Sequence, residues 1–139
     1  MRLFNWLKRR STVEKLGARG EALAARHLRR ALRMKVLARN VRCPGGELDI
    51  VALDGDDLVF VEVRTRSSEE FTTPEATITT DKQRFLIRAA RSFIQHRQLS
   101  RWNPRFDIIA IVWPTDGEPV LRYHRNAFSP RAQRRRSHR

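Results

Sequence analysis

Lysine is scarce for so basic a chain. Of 29 basic residues only Lys8, Lys15, Lys35 and Lys82 are lysine and the other 25 are arginine, against 15 acids, for a net charge of +14 over 139 residues. Cysteine is scarcer still: Cys43 is the only one, which excludes an internal disulfide and a cysteine-rich zinc site and predicts a reducing compartment. No apolar run approaches the roughly 18 residues that would span a bilayer. The N-terminal "MRLFNWLKRRST" has its apolar residues broken by charge and lacks the apolar core of a signal peptide, so the expectation is a cytoplasmic protein with no membrane partner. His27, His96, His124 and His138 are scattered, without metal-ligand spacing, and no Gly-Lys phosphate loop is present.

What is abundant is arginine, whose planar fork presents two parallel donors to a phosphate. A pI of about 11.6 therefore points first to a nucleic-acid partner. The length suits one domain with a modest core. Residues 11–128 carry the structural patterning. Residues 1–10 read as a basic extension, and "SPRAQRRRSHR", residues 129–139, as a basic, disordered tail.

Within 11–128, Ser11-Thr12-Val13-Glu14 has the form of a capping box, and a helical pattern follows to about Arg33. Val13, Leu16, Gly20, Leu23, Ala24, His27, Leu28, Ala31 and Leu32 recur on one side at steps of three and four. Gly17 and Gly20 have the spacing of a GXXG backbone clamp but lie inside this helix pattern, where close packing explains them. "KVLARNVR" predicts a short strand, punctuated by "CPGG". Glu47–Leu53 and Leu58–Arg66 predict a hairpin around "DGDD". Thr80 or Asp81 opens a second helix with Phe85, Leu86, Ala89, Ala90, Phe93 and Ile94 on one face, ending near Arg97. Arg105–Trp113 and "VLRYHR" predict two more strands. The order α-β-β-β-α-β-β predicts an α/β domain, a central sheet with helices packed on it.

The hairpin has an oddity: Asp49 sits between Leu48 and Ile50, and Glu62 between Val61 and Val63. Counting back from the turn, paired residue numbers sum to 111, so Leu53 faces Leu58, Val51 faces Phe60, Asp49 faces Glu62 and Glu47 faces Arg64. Directly opposed like charges destabilise a sheet, and burial would raise a carboxylate pKa further. Something positive belongs between them. Arg64, two residues along on the same face, is one candidate. A divalent cation, Mg²⁺ or Mn²⁺, is the other: Mg²⁺ is held by one or two carboxylates plus water and phosphate oxygens. Without a ligand, Asp49 and Glu62 would be a strand end neutralised by Arg64 and Arg66. Asp107, opening "DIIAIVW", reads as structural, paired with a nearby arginine.

Asp, a hairpin, then Glu-X-basic resembles the PD-(D/E)XK nuclease motif of the restriction-endonuclease-like fold, with Asp49, Glu62 and Arg64 at the Asp, Glu and Lys positions. The wider set "GARGEALAARHL", "RNVRCPGGELDIVALDGDDLVFVEVRTR", "PEATITTDKQRFLIRAA" and "RFDIIAI" resembles the YraN family of small bacterial proteins, from about Gly17 to Phe128. The resemblance implies a mixed central sheet flanked by helices and a site similar to that of Holliday junction resolvases. There a helix acid joins the strand acids at the metal, and Glu21 stands in that place. The departure is Arg64, where the pattern has lysine. Arginine is always protonated and cannot be the base, though it can stabilise phosphate charge. Lys82, at the start of the second helix, is the lysine that could stand in for it in space. Arg42, Arg66, Lys82 and Arg84 are candidate phosphate contacts.

Three functions follow as expectations. One is a metal-dependent DNA endonuclease, acting on branched DNA by analogy. Another is a DNA-binding module of the same fold with little catalysis. The third is an RNA- or ribosome-associated basic protein. A resolvase-like activity would suit a two-fold dimer, but nothing in the sequence specifies one.

Overall fold

The computed structural model describes residues 2–130, with side chains from residue 12 onward. Helix α1 spans Arg2–Arg30. Strands β1 (Lys35–Cys43), β2 (Gly46–Asp54) and β3 (Asp57–Arg66) follow, then a 3₁₀ turn at Glu75–Thr77, helix α2 (Thr80–Arg97), and strands β4 (Asn103–Val112) and β5 (Val120–Phe128). The five strands form one sheet in the order β1-β2-β3-β4-β5. Only β3 and β4 are parallel, and the chain between them carries α2, as a parallel crossover requires. This is the α/β architecture and element order expected from the sequence. Among the described residues no helix is long and apolar enough to cross a membrane.

The helix ends differ from expectation. No helix begins at Ser11, because α1 runs through it from Arg2 and stops at Arg30, where Arg33 turns left-handed at φ 54°. Val13 and Leu32, expected on the packed face, are 69% and 36% exposed. The contact face of α1 is narrower and centres on Ala24, Ala25 and Leu28, packed on Ile50, Val59, Val61, Ile109 and Ile111. Its small residues let the helix lie close to the sheet. At Gly20 the approach is closest: a Cβ there would fall 1.8 Å from Thr65 Oγ1, so any larger residue pushes α1 off β3. Helix α2 covers the opposite sheet face with Leu86, Ile87, Ala90 and Phe93 against Val51, Leu58, Phe60 and Phe106. Its N-cap is Thr79, one residue earlier than expected, with Oγ1 accepting from the Lys82 amide at 3.2 Å.

At the β2–β3 turn the register is as counted, Leu53 opposite Leu58 and Asp54 opposite Asp57. Gly55 takes φ 56°, as the first central residue of a type II′ turn does. The two opposed aspartates are reconciled by Arg105, which reaches Asp54 at 2.9 Å and Asp57 at 2.8 Å. The same guanidinium grips Asp107 bidentately, at 3.0 and 2.9 Å. Asp107 is fully buried, and it also accepts from the Asn126 amide at 2.9 Å and from the Tyr123 hydroxyl. Burial disfavours the Arg105 charge, but the hydrogen bonds it donates to Asp107, Asp54 and Asp57 outweigh that and raise its pKa above the ordinary value. The expected Asp107–arginine pair is thus the centre of a network tying the hairpin turn to β4 and β5.

Removing one partner of a buried pair strands the other charge, at a cost of about 3–5 kcal/mol. Asp107→Ala should therefore lower stability by about that amount in urea unfolding at neutral pH. A loss below about 1 kcal/mol, the range of exposed pairs, would show that the network does not hold this end of the sheet.

Candidate functional site

Counted pairing survives only as far as Ile50 opposite Val61. Beyond it the sheet divides. Strand β2 stays with β1, pairing Leu48 with Val41, Glu47 with Arg42 and Gly46 with Cys43. Strand β3 stays with β4 out to Arg66 opposite Val112. The expected Glu47–Arg64 pair is therefore absent, and Glu47 lies 3.8 Å from Arg42 instead.

The division has a local cause. Leu48 and Val51 both pack on the α2 side, while Ile50 between them packs on the α1 side. Strict alternation cannot do this, so β2 changes face at Asp49–Ile50. Strand β1 changes face at the same level, since Ala38 and Val41 both pack toward α2. Asn40 lies between them with φ 52°, a conformation asparagine tolerates better than most residues. The apolar run around Asp49 is thus two faces meeting, with the acid at the junction.

At that junction the Asp49 carboxylate replaces a ladder carbonyl: its Oδ2 accepts from the Val63 amide at 2.9 Å. Glu62 points toward α2, 4% exposed, and shares a hydrogen bond with Asp49. Its Oε1 takes two cations, Arg64 Nη2 at 3.1 Å and Lys82 Nζ at 3.6 Å. Among the described residues its Oε2 is buried without a partner, as is Arg64 Nε. Burial, then repulsion from Asp49, pushes the Glu62 carboxyl up to about 8, against the pull of Lys82 and Arg64. Burial also raises the Asp49 carboxyl, opposed by the Val63 amide and Glu62 hydrogen bonds. On α1, Glu21 faces the same corner. Burial and the Asp49 charge raise its carboxyl, against Arg39 and a hydrogen bond from Asn40. Gly20, by admitting α1 close to Thr65, is what brings Glu21 near.

The predicted site residues therefore divide into groups. Asp49, Glu62, Arg64 and Lys82 meet directly, and Glu21 stands beside them. Arg66 is exposed at the end of β3. Arg84 turns to Asp81 at 3.8 Å. The Arg42 side chain is 92% exposed, on the far arm of the fork. Sequence reasoning missed Asn40, the Val63 amide and the clamp that fixes the loop from β3 to α2. In that clamp Arg122 binds Glu75 Oε1 at 2.7 Å and Glu69, and His124 binds Glu75 Oε2 at 2.8 Å. Hydrogen bonds from Arg122, more than the one from His124, bring the Glu75 carboxyl down to about 2 against its partial burial. Only Asn40 left a signal, as a turn-favouring residue inside a strand pattern.

Among the described residues no three His, Cys, Asp or Glu side chains form a ready-made metal cage. Mg²⁺ does not need one, since one or two carboxylates suffice with water and phosphate oxygens. Asp49 and Glu62 fit that role: hard oxygen donors side by side, one Glu62 oxygen buried and, among the described residues, unpartnered.

Residues 20–111 match the model of "Uncharacterised protein family UPF0102". A UPF0102 protein of Geobacter sulfurreducens is 45% identical over 113 residues, covering 81% of this chain and 88% of the relative. One from Geotalea daltonii is 41% identical over the same shares. One from Nocardioides is 45% identical over 76% of this chain and 85% of its own.

Because the Glu62 carboxyl moves from 4.5 to about 8 on folding, the folded chain holds a proton between those values that the unfolded chain has lost. Its contribution is complete below about 4.5 and lost as pH rises through about 8. Urea unfolding should thus show stability falling over that window, and Glu62→Gln should flatten the fall. Parallel pH profiles for the two proteins would show that Glu62 does not carry this burden.

Proposed function

We propose, for a chain that belongs to the UPF0102 family, the YraN family of the resemblance above, a metal-dependent phosphodiesterase acting on DNA. The observation that carries it is the paired, desolvated Asp49 and Glu62 at the fork, with two cations on one Glu62 oxygen, in a chain of net charge +14. A desolvated acid pair of this kind is a burden on folding, and perturbed carboxyls are a functional signature.

Asp49 and Glu62 would hold Mg²⁺ or Mn²⁺, with Glu21 as a further carboxylate beside them. Such an ion, when bound, supplies an activated water and neutralises charge on the phosphate. The chain's own groups do the rest. The Val63 amide fixes the Asp49 carboxylate in one orientation. The Lys82 ammonium packs over Phe85, 4.9 Å from the ring centre, which steadies it. Arg64 and Lys82 converge on one oxygen of Glu62, so a phosphate arriving there meets two donors already in place, which is the preorganised charge that phosphoryl chemistry requires. The Arg-rich surface supplies salt-sensitive affinity for the DNA backbone.

Purified protein should nick DNA only with Mg²⁺ or Mn²⁺ in a panel of linear, flap and junction substrates. Asp49→Ala should reduce the rate by about 100-fold or more while anisotropy shows binding retained. Equal residual cutting by wild type and Asp49→Ala would assign the activity to a contaminant and remove this reading.

A second reading, a DNA-binding module with little turnover, is favoured by one observation, the arginine at position 64. It predicts salt-sensitive binding without cleavage in wild type, and cleavage rising by roughly tenfold or more in Arg64→Lys. An Arg64→Lys protein that cuts no better than wild type would remove the idea that this position limits catalysis.

A further inference from the structure

Away from the acidic fork, a cleft of about 360 Å³ opens between the end of β1 with its following turn and the last turns of α2. That volume is at the small end of ligand clefts, roughly 300–1,000 Å³. Val41, Pro44 and Phe93 give it an apolar lining, here called its floor. Its rim is basic: Arg42 from β1 and Arg97 from α2, with His96 between floor and rim. No acid lines it. Glu47 touches Arg42 only from outside, at 3.8 Å, and leaves that side chain 92% exposed.

The polar groups of the cleft are oriented rather than random. Arg97 lies over the Phe93 ring, 5.1 Å from its centre. His96 Nδ1 is 2.8 Å from the Ser92 carbonyl, which can only accept, so Nδ1 carries the hydrogen and Nε2 is the ring atom left for a ligand. A flat, apolar-faced ring with a hydrogen-bonding edge and an attached anion matches these walls. A nucleotide has all three features, provided its base is unstacked.

We propose that this cleft is a subsite for one unpaired nucleotide, its base on the Val41–Pro44–Phe93 floor and its phosphate between Arg42 and Arg97. The proposal rests on the DNA reading of the fork and names its substrate class: DNA with an unpaired strand. Fourteen residues of α2 separate Lys82 from His96, about 21 Å at 1.5 Å per residue. At about 3.4 Å per nucleotide along a duplex axis, the unpaired nucleotide sits roughly six steps from the phosphate at the fork.

Cys43 is the only thiol in the chain and lines the cleft, so it reports occupancy directly. The experiment measures iodoacetamide alkylation of Cys43 in the full chain, without metal, in the presence of a twelve-residue oligothymidylate or a blunt duplex. The oligothymidylate is expected to slow alkylation by roughly fivefold or more, as a base seated on an apolar floor would, and the blunt duplex to leave it unchanged. Arg97→Glu, an exposed position, should abolish the protection and weaken oligothymidylate binding by roughly tenfold, a larger loss than the general electrostatic one that the same variant shows toward the duplex. Oligothymidylate that binds by anisotropy yet leaves Cys43 fully reactive overturns the subsite and leaves the fork reading standing. Equal protection by both nucleic acids, or no binding of the oligothymidylate, overturns it as well. Protection with no metal-dependent cleavage retires the fork reading and keeps the subsite.

Discussion

Two carboxylates share one desolvated corner, and much of the surrounding structure answers to that fact. Asp49 and Glu62 cannot both ionise there cheaply. Each neighbour limits the cost: the Val63 amide on Asp49, and Arg64 and Lys82 on Glu62. None satisfies it completely, since Glu62 Oε2 has no partner among the described residues. The sheet is shaped to make this corner. Had β2 and β3 stayed paired past Ile50, the Val63 amide would have met a backbone carbonyl, and the ladder would have closed over the acids.

The opposite end of the same strands is built in the opposite way. There Asp54, Asp57 and Asp107 also crowd together, but Arg105 is buried among them with hydrogen bonds to each. That network is closed, and a fully satisfied network rigidifies. The contrast assigns the two ends different work. One holds β3 and β4 in fixed register from the turn, and the other leaves a buried carboxylate oxygen without a partner among the described residues. The Arg122–Glu75–His124 clamp adds a third anchor. It holds the loop before α2 in place, and with it the helix end that delivers Lys82.

Some of this was legible in the residues. Alternating apolar runs around "DGDD" set the hairpin and its register near the turn, and that register brought Asp49 and Glu62 to one level. Step-of-four spacing set α2 to within a residue. The two-residue interval from Glu62 to Arg64 put both on one face, where they do pair at 3.1 Å. The start of α1 was misread because a capping box is a local pattern, and a helix continues through such a pattern when the residues before it are also good helix formers. Glu47 was given the wrong partner because register was extended as though the ladder were unbroken. The face change at Asn40 and Asp49 is a property of two strands together, and neither strand declares it alone.

Local sequence by itself determined which segments are helix or strand, the hairpin register, and the presence of an acid pair beside a basic residue. These depend on interactions between residues close along the chain, where periodicity and turn chemistry act. Tertiary structure alone decided that the sheet divides at the acids, that Gly20 admits α1 against Thr65, and that Lys82, twenty residues after Glu62, reaches its carboxylate at 3.6 Å. It also decided that Arg42 and Arg97 border one cleft. Those outcomes depend on how two helices pack on opposite faces of a twisted sheet, where burial and charge join residues that the chain order keeps apart.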